Sequence, residues 1–412
     1  MSSRVAGLCL KCRGAKLLCG LPRCPFLSVW STLGEVKHPS SAELQAPSPP
    51  SVFVGRVGYP SVRVAPAVVM AEGDVSIYDL PEKWLSYSVE DVLKFRLGLV
   101  MGGLRVDVRK PKALEEVALL SASSRPVDVE LRFSKPPRGF KLDPYTPPFG
   151  PVGAAERVRV IDNPSLPRPV ERMISGDRVR AEEAVWLLYE NGLPVSMIQR
   201  VFSTGLLGRD AGRRLVPTRW SITAVDDILS RRILGEVKRY PVVDSYLFFQ
   251  RRYSDNNFVA VLAPQAWSFE WIEAWFPHTT WNPGASVEVE GDWEGFKGRA
   301  EYASLGGCYY ASRLAAAEYL RRIRRQATVL LIREIYEGFF LPIGVWFVRE
   351  NVRALFASRP EKYDDLKEVL ERLGGATRLP LSVWLSKSRI LKDLTRQLRL
   401  EVGALGSEVR EG

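Results

Sequence analysis

The chain has 412 residues, of which 46% are hydrophobic and 25% charged, an ordinary globular composition with length for two or three domains. Its 58 Lys and Arg outweigh 47 Asp and Glu, for a net charge of +11, which favours an anionic partner, nucleic acid before an anionic membrane surface. Only two histidines, His38 and His278, are present, so histidine-based triads and multi-histidine metal centres have little material.

From the N-terminus, four of the five cysteines crowd together as Cys9-x2-Cys12-x6-Cys19-x4-Cys24. Four thiolates suit a tetrahedral Zn2+, and a Cys-x2-Cys turn supplies two of them. Gly20 and Pro22 let the chain bend between Cys19 and Cys24, and Lys11, Arg13, Lys16 and Arg23 surround the cluster. An iron–sulfur centre is the competing reading. The same basic residues interrupt the N-terminal apolar run, so no secretory leader is expected. The most apolar later run, Gly338 to Val348, is too short to span a bilayer and holds Pro342. A cytoplasmic protein is expected.

Residues 39–51, rich in Pro and Ser, predict a linker. Strands follow at Val52–Val57 and Val62–Val69 around a turn at Gly58-Tyr59-Pro60, with helices over about 88–101 and 111–121. Val127–Phe133 alternates apolar and charged residues as a half-buried strand does. The proline-rich stretch Ser134–Gly153 reads as a boundary or a long loop. Helices at Arg180–Glu190 and from Pro194 through Phe202 flank Asn191-Gly192. They match either a core hairpin or a helix-turn-helix, and Val195, Met197, Ile198 and Val201 favour the core. One helix is expected over Thr223–Lys238, with Thr223-x2-Asp226 as its capping box. A hairpin is expected from Asp244–Gln250 and Phe258–Ala263 around Ser254-Asp255-Asn256-Asn257. Trp267, Trp271 and Trp275 would form one aromatic stripe on a helix, either core or a base-stacking surface. A long helix over 308–326, strands at Ala327–Ile335 and Pro342–Val348, and helices near 361–373 and 384–396 complete the chain. Helices and strands without regular alternation give an α+β class.

Several constellations bear on chemistry. Arg321, Arg322, Arg324 and Arg325 close the long helix and would make one basic face for phosphates, which the helix dipole also favours. Arg219 stands beside Trp220 and Ser221. Asp226, Asp227 and Glu236, with Lys238, loosely resemble the acids and lysine of some nucleases, whose carboxylates converge on Mg2+. Glu288-x-Glu290 with Arg219 and Ser221 resembles an ADP-ribosyl-transferring site, although alternating acids also mark the wet face of a strand. Cys308 follows Gly306-Gly307 at a helix start, as a stabilised thiolate or a buried structural thiol.

The cysteine cluster, Ser51-Val-Phe-Val-Gly-Arg-Val-Gly-Tyr-Pro60, Val216-Pro-Thr-Arg-Trp-Ser-Ile-Thr-Ala-Val-Asp226, Leu305-Gly-Gly-Cys-Tyr-Tyr310 and the run from Arg333 through Arg349 together resemble the archaeal Nre family of DNA repair proteins. The resemblance covers nearly the whole chain. It implies a small N-terminal zinc-binding module at 1–38 with Cys9, Cys12, Cys19 and Cys24 as ligands, the linker at 39–51, and a two-part body at 52–240 and 241–412. It implies DNA as partner, for which Arg219, Arg321, Arg322, Arg324 and Arg325 are the candidate contacts. It also implies the sliding clamp, through a C-terminal peptide. Gln397 has Leu400 three residues later, but Gly403 and Ala404 stand where such a peptide has bulky residues. The leading expectation is a DNA damage repair protein. The alternatives are a metal-dependent nuclease or nucleotide transferase using Asp226, Asp227 or Glu236, and a non-catalytic repair scaffold.

Overall fold

A computed structural model describes residues 12, 16–18, 20, 24–37, 39–143, 146–176, 179–279, 281–282, 284–339 and 343–396. The chain divides into two compact units. The first comprises 1–17, 23–229 and 341–347, and the second 18–22, 230–340 and 348–412. Both mix helices with a six-stranded sheet, in keeping with the α+β class.

In the first unit the strands are β1 (Glu43–Ser48), β2 (Val52–Val54), β3 (Ser61–Val69), β4 (Leu99–Asp107), β5 (Val127–Phe133), the small hairpin β6 (Lys141–Asp143) and β7 (Thr146–Phe149), and β8 (Val152–Val160). The sheet order is β1-β5-β8-β4-β3-β2, antiparallel except between β4 and β8. Helices α1 (Pro25–Gly34), α2 (Val89–Leu97), α3 (Glu115–Ser121), α4 (Arg168–Ser175), α5 (Ala181–Glu190) and α6 (Val195–Ser203) accompany it. The long α7 (Thr218–Val237) begins in this unit and ends in the second.

Residues alternate between the two faces of a strand, and that alternation explains the first core. Val62, Val64 and Val68 of β3, Val100 of β4 and Val129 and Leu131 of β5 share one face and one hydrophobic cluster. The opposite face is divided along its length. At one end Ala65, Ala67, Val69, Leu99, Met101 and Phe149 pack into a second cluster. At the other end the same parity reaches Arg63 and Arg105, which are exposed.

The second unit holds β9 (Tyr246–Tyr253), β10 (Asn256–Ala263), β11 (Ser268–Trp275), β12 (Glu288–Glu294), β13 (Thr328–Ile335) and β14 (Glu361–Tyr363), ordered β12-β11-β13-β10-β9-β14, with β11 and β13 parallel. Phe248, Val259, Ile272, Leu330 and Ile332 face α10 (Leu366–Ala376), α11 (Leu381–Lys387) and the last helical stretch, 389–396. On the other face Phe249 meets Tyr319 of α8 (Gly307–Ile323) and Phe356 of α9 (Trp346–Ala357).

Several expectations are corrected. Residues 39–51 contain strand β1 rather than a free linker, and its Pro47 is tolerated because β1 is an edge strand pairing only with β5. The helix expected over 88–101 stops at Leu97, and the apolar run after Gly98 becomes β4. The proline-rich stretch leads directly into β8. Trp271 and Trp275 lie on strand β11, because a spacing of four fits the strand period of two as well as a helical turn. Trp267 and Trp271 are core, as the structural reading of the stripe expects. The strand expected over Pro342–Val348 gives way to α9 from Trp346. The stretch 361–373 opens with β14, and the helix starts only at Leu366, capped by Asp365. The hairpin β9–β10 and the strands β3, β5 and β13 stand where they are predicted.

Ser388 interrupts the helix expected over 384–396, and a buried carboxylate explains the restart. Glu270 of β11 accepts from the Ser388 hydroxyl (2.5 Å) and from the backbone N–H groups of Arg389 (2.8 Å) and Ile390 (2.9 Å). These are orphan donors at a helix N-terminus. Burial raises the Glu270 carboxyl's pKa above the ordinary range, and the accepted hydrogen bonds work against that shift. Glu270→Ala strands three donors, two of them buried, and is expected to cost about 2–4 kcal/mol. Urea unfolding read by tryptophan fluorescence checks this, with Glu288→Ala on the exposed end of β12 expected to stay within about 0.5 kcal/mol of the parent.

Candidate nucleic-acid interface

Two of the distinctive sequence segments meet in the first unit. The β2–β3 loop carries Arg56, Val57, Gly58 and Tyr59, and the start of α7 carries Thr218, Arg219 and Trp220. The Thr218 hydroxyl accepts from the Val54 N–H at 2.9 Å, which ties the head of α7 to β2. The α7 turn itself is set by Trp220 and Ser221, whose N–H groups donate to the Pro217 carbonyl, and by the Ser221 hydroxyl, which donates to the Gln199 carbonyl at 2.6 Å. The result places Trp220 against Tyr59, with ring centroids 5.4 Å apart and planes inclined by 50°. Both rings remain open to solvent, Tyr59 at 52% and Trp220 at 46%.

The loop conformation depends on Gly58, whose φ of +86° is a left-handed value. A Cβ there would lie 2.9 Å from the Ser61 carbonyl and 3.2 Å from an Arg105 guanidinium nitrogen. Arg105 therefore lies beside the aromatic loop. Its register partner across the antiparallel β3–β4 pair is Arg63. The stem of Arg63 crosses Gly103, where a Cβ would come within 2.4 Å of its Cδ. Two like charges directly opposite one another destabilise a sheet, so packing does not account for this pair. Arg157 and Arg159 of β8 add to the same face, since Val158 and Val160 point into the core between and beyond them. Among the described residues, Arg56, Arg63, Arg157, Arg159 and Arg219 form no ion pair, and all five are exposed. Nearby Arg109 differs: it holds the Asp107 carboxylate through two bonds of 2.9 and 2.6 Å, which keeps that carboxyl's pKa well below its usual range.

The other expected site residues are placed elsewhere. Helix α8 ends at Ile323, so Arg324, in a left-handed conformation, and Arg325 do not continue its face. Arg321 holds Glu236 through two bonds of 2.9 and 3.3 Å, Arg322 donates to the Phe356 carbonyl, and Arg325 lies 4.0 Å from Asp244. The single basic helical face expected of these four residues is thus broken up.

The acidic trio does not converge. All three acids lie on α7, and ten residues separate Asp226 from Glu236, about 15 Å along a helix. Asp226 is buried and accepts from Gln199, while Glu236 is engaged by Arg321. The capping box expected at Thr223 lies within the helix rather than at its start. Glu288 and Glu290 are exposed on β12, on its wet face. Cys308 begins α8, but burial, with Glu273 adding to it, pushes its thiol pKa far up, so it is held as a protonated thiol. In the helical pair α5–α6 the second helix buries Val195, Met197, Ile198 and Val201, as a core hairpin does. Glu82 receives the N–H and hydroxyl of Ser196 at its start.

Of the four N-terminal cysteines, Cys9 and Cys19 lie outside the described residues, as do Gln397, Leu400, Gly403 and Ala404. Cys12 is buried, and Cys24 is half-buried directly before α1 with no capping bond from its side chain. Two thiols of this kind are compatible with thiolate ligation. Among the described residues no group of three or more His, Cys, Asp or Glu gathers as a metal site, and no helix is long and apolar enough to cross a membrane.

Arg56, Tyr59, Arg63, Arg105, Arg157 and Arg159 were not singled out by the sequence reading. Their signal is an arginine alternating with β-branched residues, as in Val62-Arg63-Val64 and Arg157-Val158-Arg159. Only the register of β3, β4 and β8 turns that alternation into one surface.

Comparison with known proteins agrees with the whole-chain resemblance. The family models described as archaeal Nre, N-terminal, and archaeal Nre, C-terminal, match residues 18–282 and 294–402. The DNA repair protein NreB of Archaeoglobus fulgidus is 48% identical, over 93% of this chain and 97% of its own length. The DNA repair protein NreA of the same organism is 38% identical, over 88% of this chain and 92% of its own. The DNA repair protein NreA of Haloferax volcanii is 35% identical, over 74% of this chain and 76% of its own. No solved structure matches the chain. With both halves matched by its models, the chain belongs to the archaeal Nre family.

Proposed function

We infer that this protein acts in DNA repair and engages DNA through the arginine-bearing face of its first sheet. The observation that carries the reading is the cross-strand pair Arg63–Arg105, flanked by Arg157, Arg159 and Arg219, which close no ion pair among the described residues. A fold that tolerates opposed like charges gains from them only when an anion lies between, and a nucleic-acid backbone supplies anions at regular intervals. The net charge of +11 and the relatives' names as DNA repair proteins point the same way. The protein works in the cytoplasm on this reading. Arg321 is a structural residue here, because its guanidinium is already committed to Glu236.

The reading includes one structural Zn2+ held by Cys9, Cys12, Cys19 and Cys24. Such an ion would fix the N-terminal turn and needs no part in chemistry. Metal analysis of purified protein is expected to find about one zinc per chain. Cys24→Ser is expected to remove it while leaving the circular dichroism of the body intact.

Replacing Arg63, Arg105, Arg157 and Arg159 together by Gln is expected to weaken DNA binding and flatten the slope of log affinity against log salt by about 3 units. Stability of that variant should stay level or rise by about 0.2–1 kcal/mol, because opposed charges are removed. Arg321→Gln makes the contrast: the salt slope stays, and stability falls by about 0.3–1 kcal/mol, a modest loss since both partners are partly exposed. Fluorescence anisotropy across a salt series and urea unfolding read both outcomes.

A further inference from the structure

We propose that Tyr59 and Trp220 form a stacking platform for an unpaired base, so that the DNA held on this face is single-stranded. The proposal rests on the reading above and narrows its substrate.

Three features of the structure lead to it. First, the two rings lie against each other at a tilt of 50° yet remain about half exposed, 52% and 46%. Two large rings side by side and half in water keep apolar area that a stacked ligand would bury. Second, the pair is held in place by the local backbone. Val54 N–H to the Thr218 hydroxyl locks the head of α7 to β2, and left-handed Gly58 turns the Tyr59 loop beside Arg105. Third, the rings sit at the margin of a belt of arginines on neighbouring strands of one sheet, about 10 Å from β8 to β3.

A ring stacks on a base only where the base's face is bare. Inside a duplex both faces of every base are covered by its neighbours, whereas each base of a single strand offers a free face. Duplex readers instead place a helix or ribbon in the major groove. The helix that sequence offered for that task, α6, is buried. The flat arginine belt contacts phosphates without reading bases, and the aromatic pair accepts any base, so the expected binding is tolerant of sequence.

The test uses the full-length protein with a fluorescein-labelled oligothymidylate and, separately, a labelled blunt hairpin duplex of equal length. Anisotropy is measured at one fixed salt concentration. Trp220→Ala and Tyr59→Ala should each weaken oligothymidylate binding about 5- to 150-fold, with duplex binding within about twofold of the parent. Trp220→Phe should retain most of the affinity, because it keeps a π face. Both side chains are exposed, so a thermal melt matching the parent's confirms that folding is intact. Equal losses on the two DNAs, or no loss on either, overturn the stacking platform. Parent protein that binds duplex but not oligothymidylate overturns the single-strand assignment and leaves the basic face standing. Binding of neither DNA overturns the underlying reading as well.

Discussion

A carboxylate taken out of water must be met by donors or give up its charge, and this constraint organises the second unit. Four glutamates on its sheet are buried: Glu270 and Glu273 on β11, Glu294 on β12 and Glu334 on β13. Each draws in a different element. Glu270 fixes the restart of the last helix. Glu273 takes Arg333 of the neighbouring strand at 3.0 Å. Glu294 takes Arg313 of α8 at 2.8 Å and the Trp267 indole at 3.2 Å. Glu334 collects Asn257, the Tyr336 hydroxyl and the backbone N–H groups of Arg378 and Leu379, which fixes the chain between α10 and α11. Strand alternation sends Glu270 and Glu334 toward one layer of helices and Glu273 with Arg333 toward the other. Buried ions of this kind add little net stability, but mispairing them is costly, so they select one arrangement over its neighbours.

The first unit follows a different rule on its outer face. There Glu43 and Glu156 reach Arg132, and Glu130 stands across from Arg159, yet Arg63, Arg157 and Arg159 close no ion pair among the described residues. The contrast within a few residues is informative. Arg109 closes on Asp107 with two short bonds, while Arg105, two residues before Asp107 on the same strand, faces Arg63. Acids are available nearby, so the open arginines do not reflect a shortage of partners. They reflect side-chain directions set by the register of β3 and β4 and by the glycine at 103, which leaves room for the Arg63 stem.

Much of the fold was legible in sequence where one period dominated. Val127–Phe133 alternates cleanly and is β5, and the hairpin β9–β10 follows from its turn residues. The reading failed where two periods coincide or where a neighbour decides. The tryptophan spacing of four fits strand and helix alike. Glu43–Ser48 looked like linker because it lies in a Pro- and Ser-rich stretch and its Pro47 forbids a central strand, and only the sheet shows that it lies at an edge. The break at Ser388 is imposed by Glu270, more than a hundred residues earlier in the chain. For the site, Arg219 was legible from its place beside Trp220, whereas the arginines of β3, β4 and β8 belong to three separate segments that only pairing brings together.

The same geometry explains why the acids dispersed and the arginines assembled. On a helix each residue turns the side chain by about 100°, so Asp226 and Asp227 point apart and Glu236 lies about 15 Å further on. Charges close in a helical sequence are pulled into different surroundings, as Asp226 with Gln199 and Glu236 with Arg321 show. On strands the period of two keeps residues 157 and 159 on one face, and register adds residues 63 and 105 from segments distant in sequence. A sheet therefore accumulates like charge over an area, where a helix distributes it around an axis. Chemistry on phosphodiesters needs carboxylates converging on a point, whereas holding a phosphate backbone needs cations spread along a line. The first unit has cations spread over neighbouring strands, and the hydrogen bond from Val54 to Thr218 sets an aromatic pair beside them.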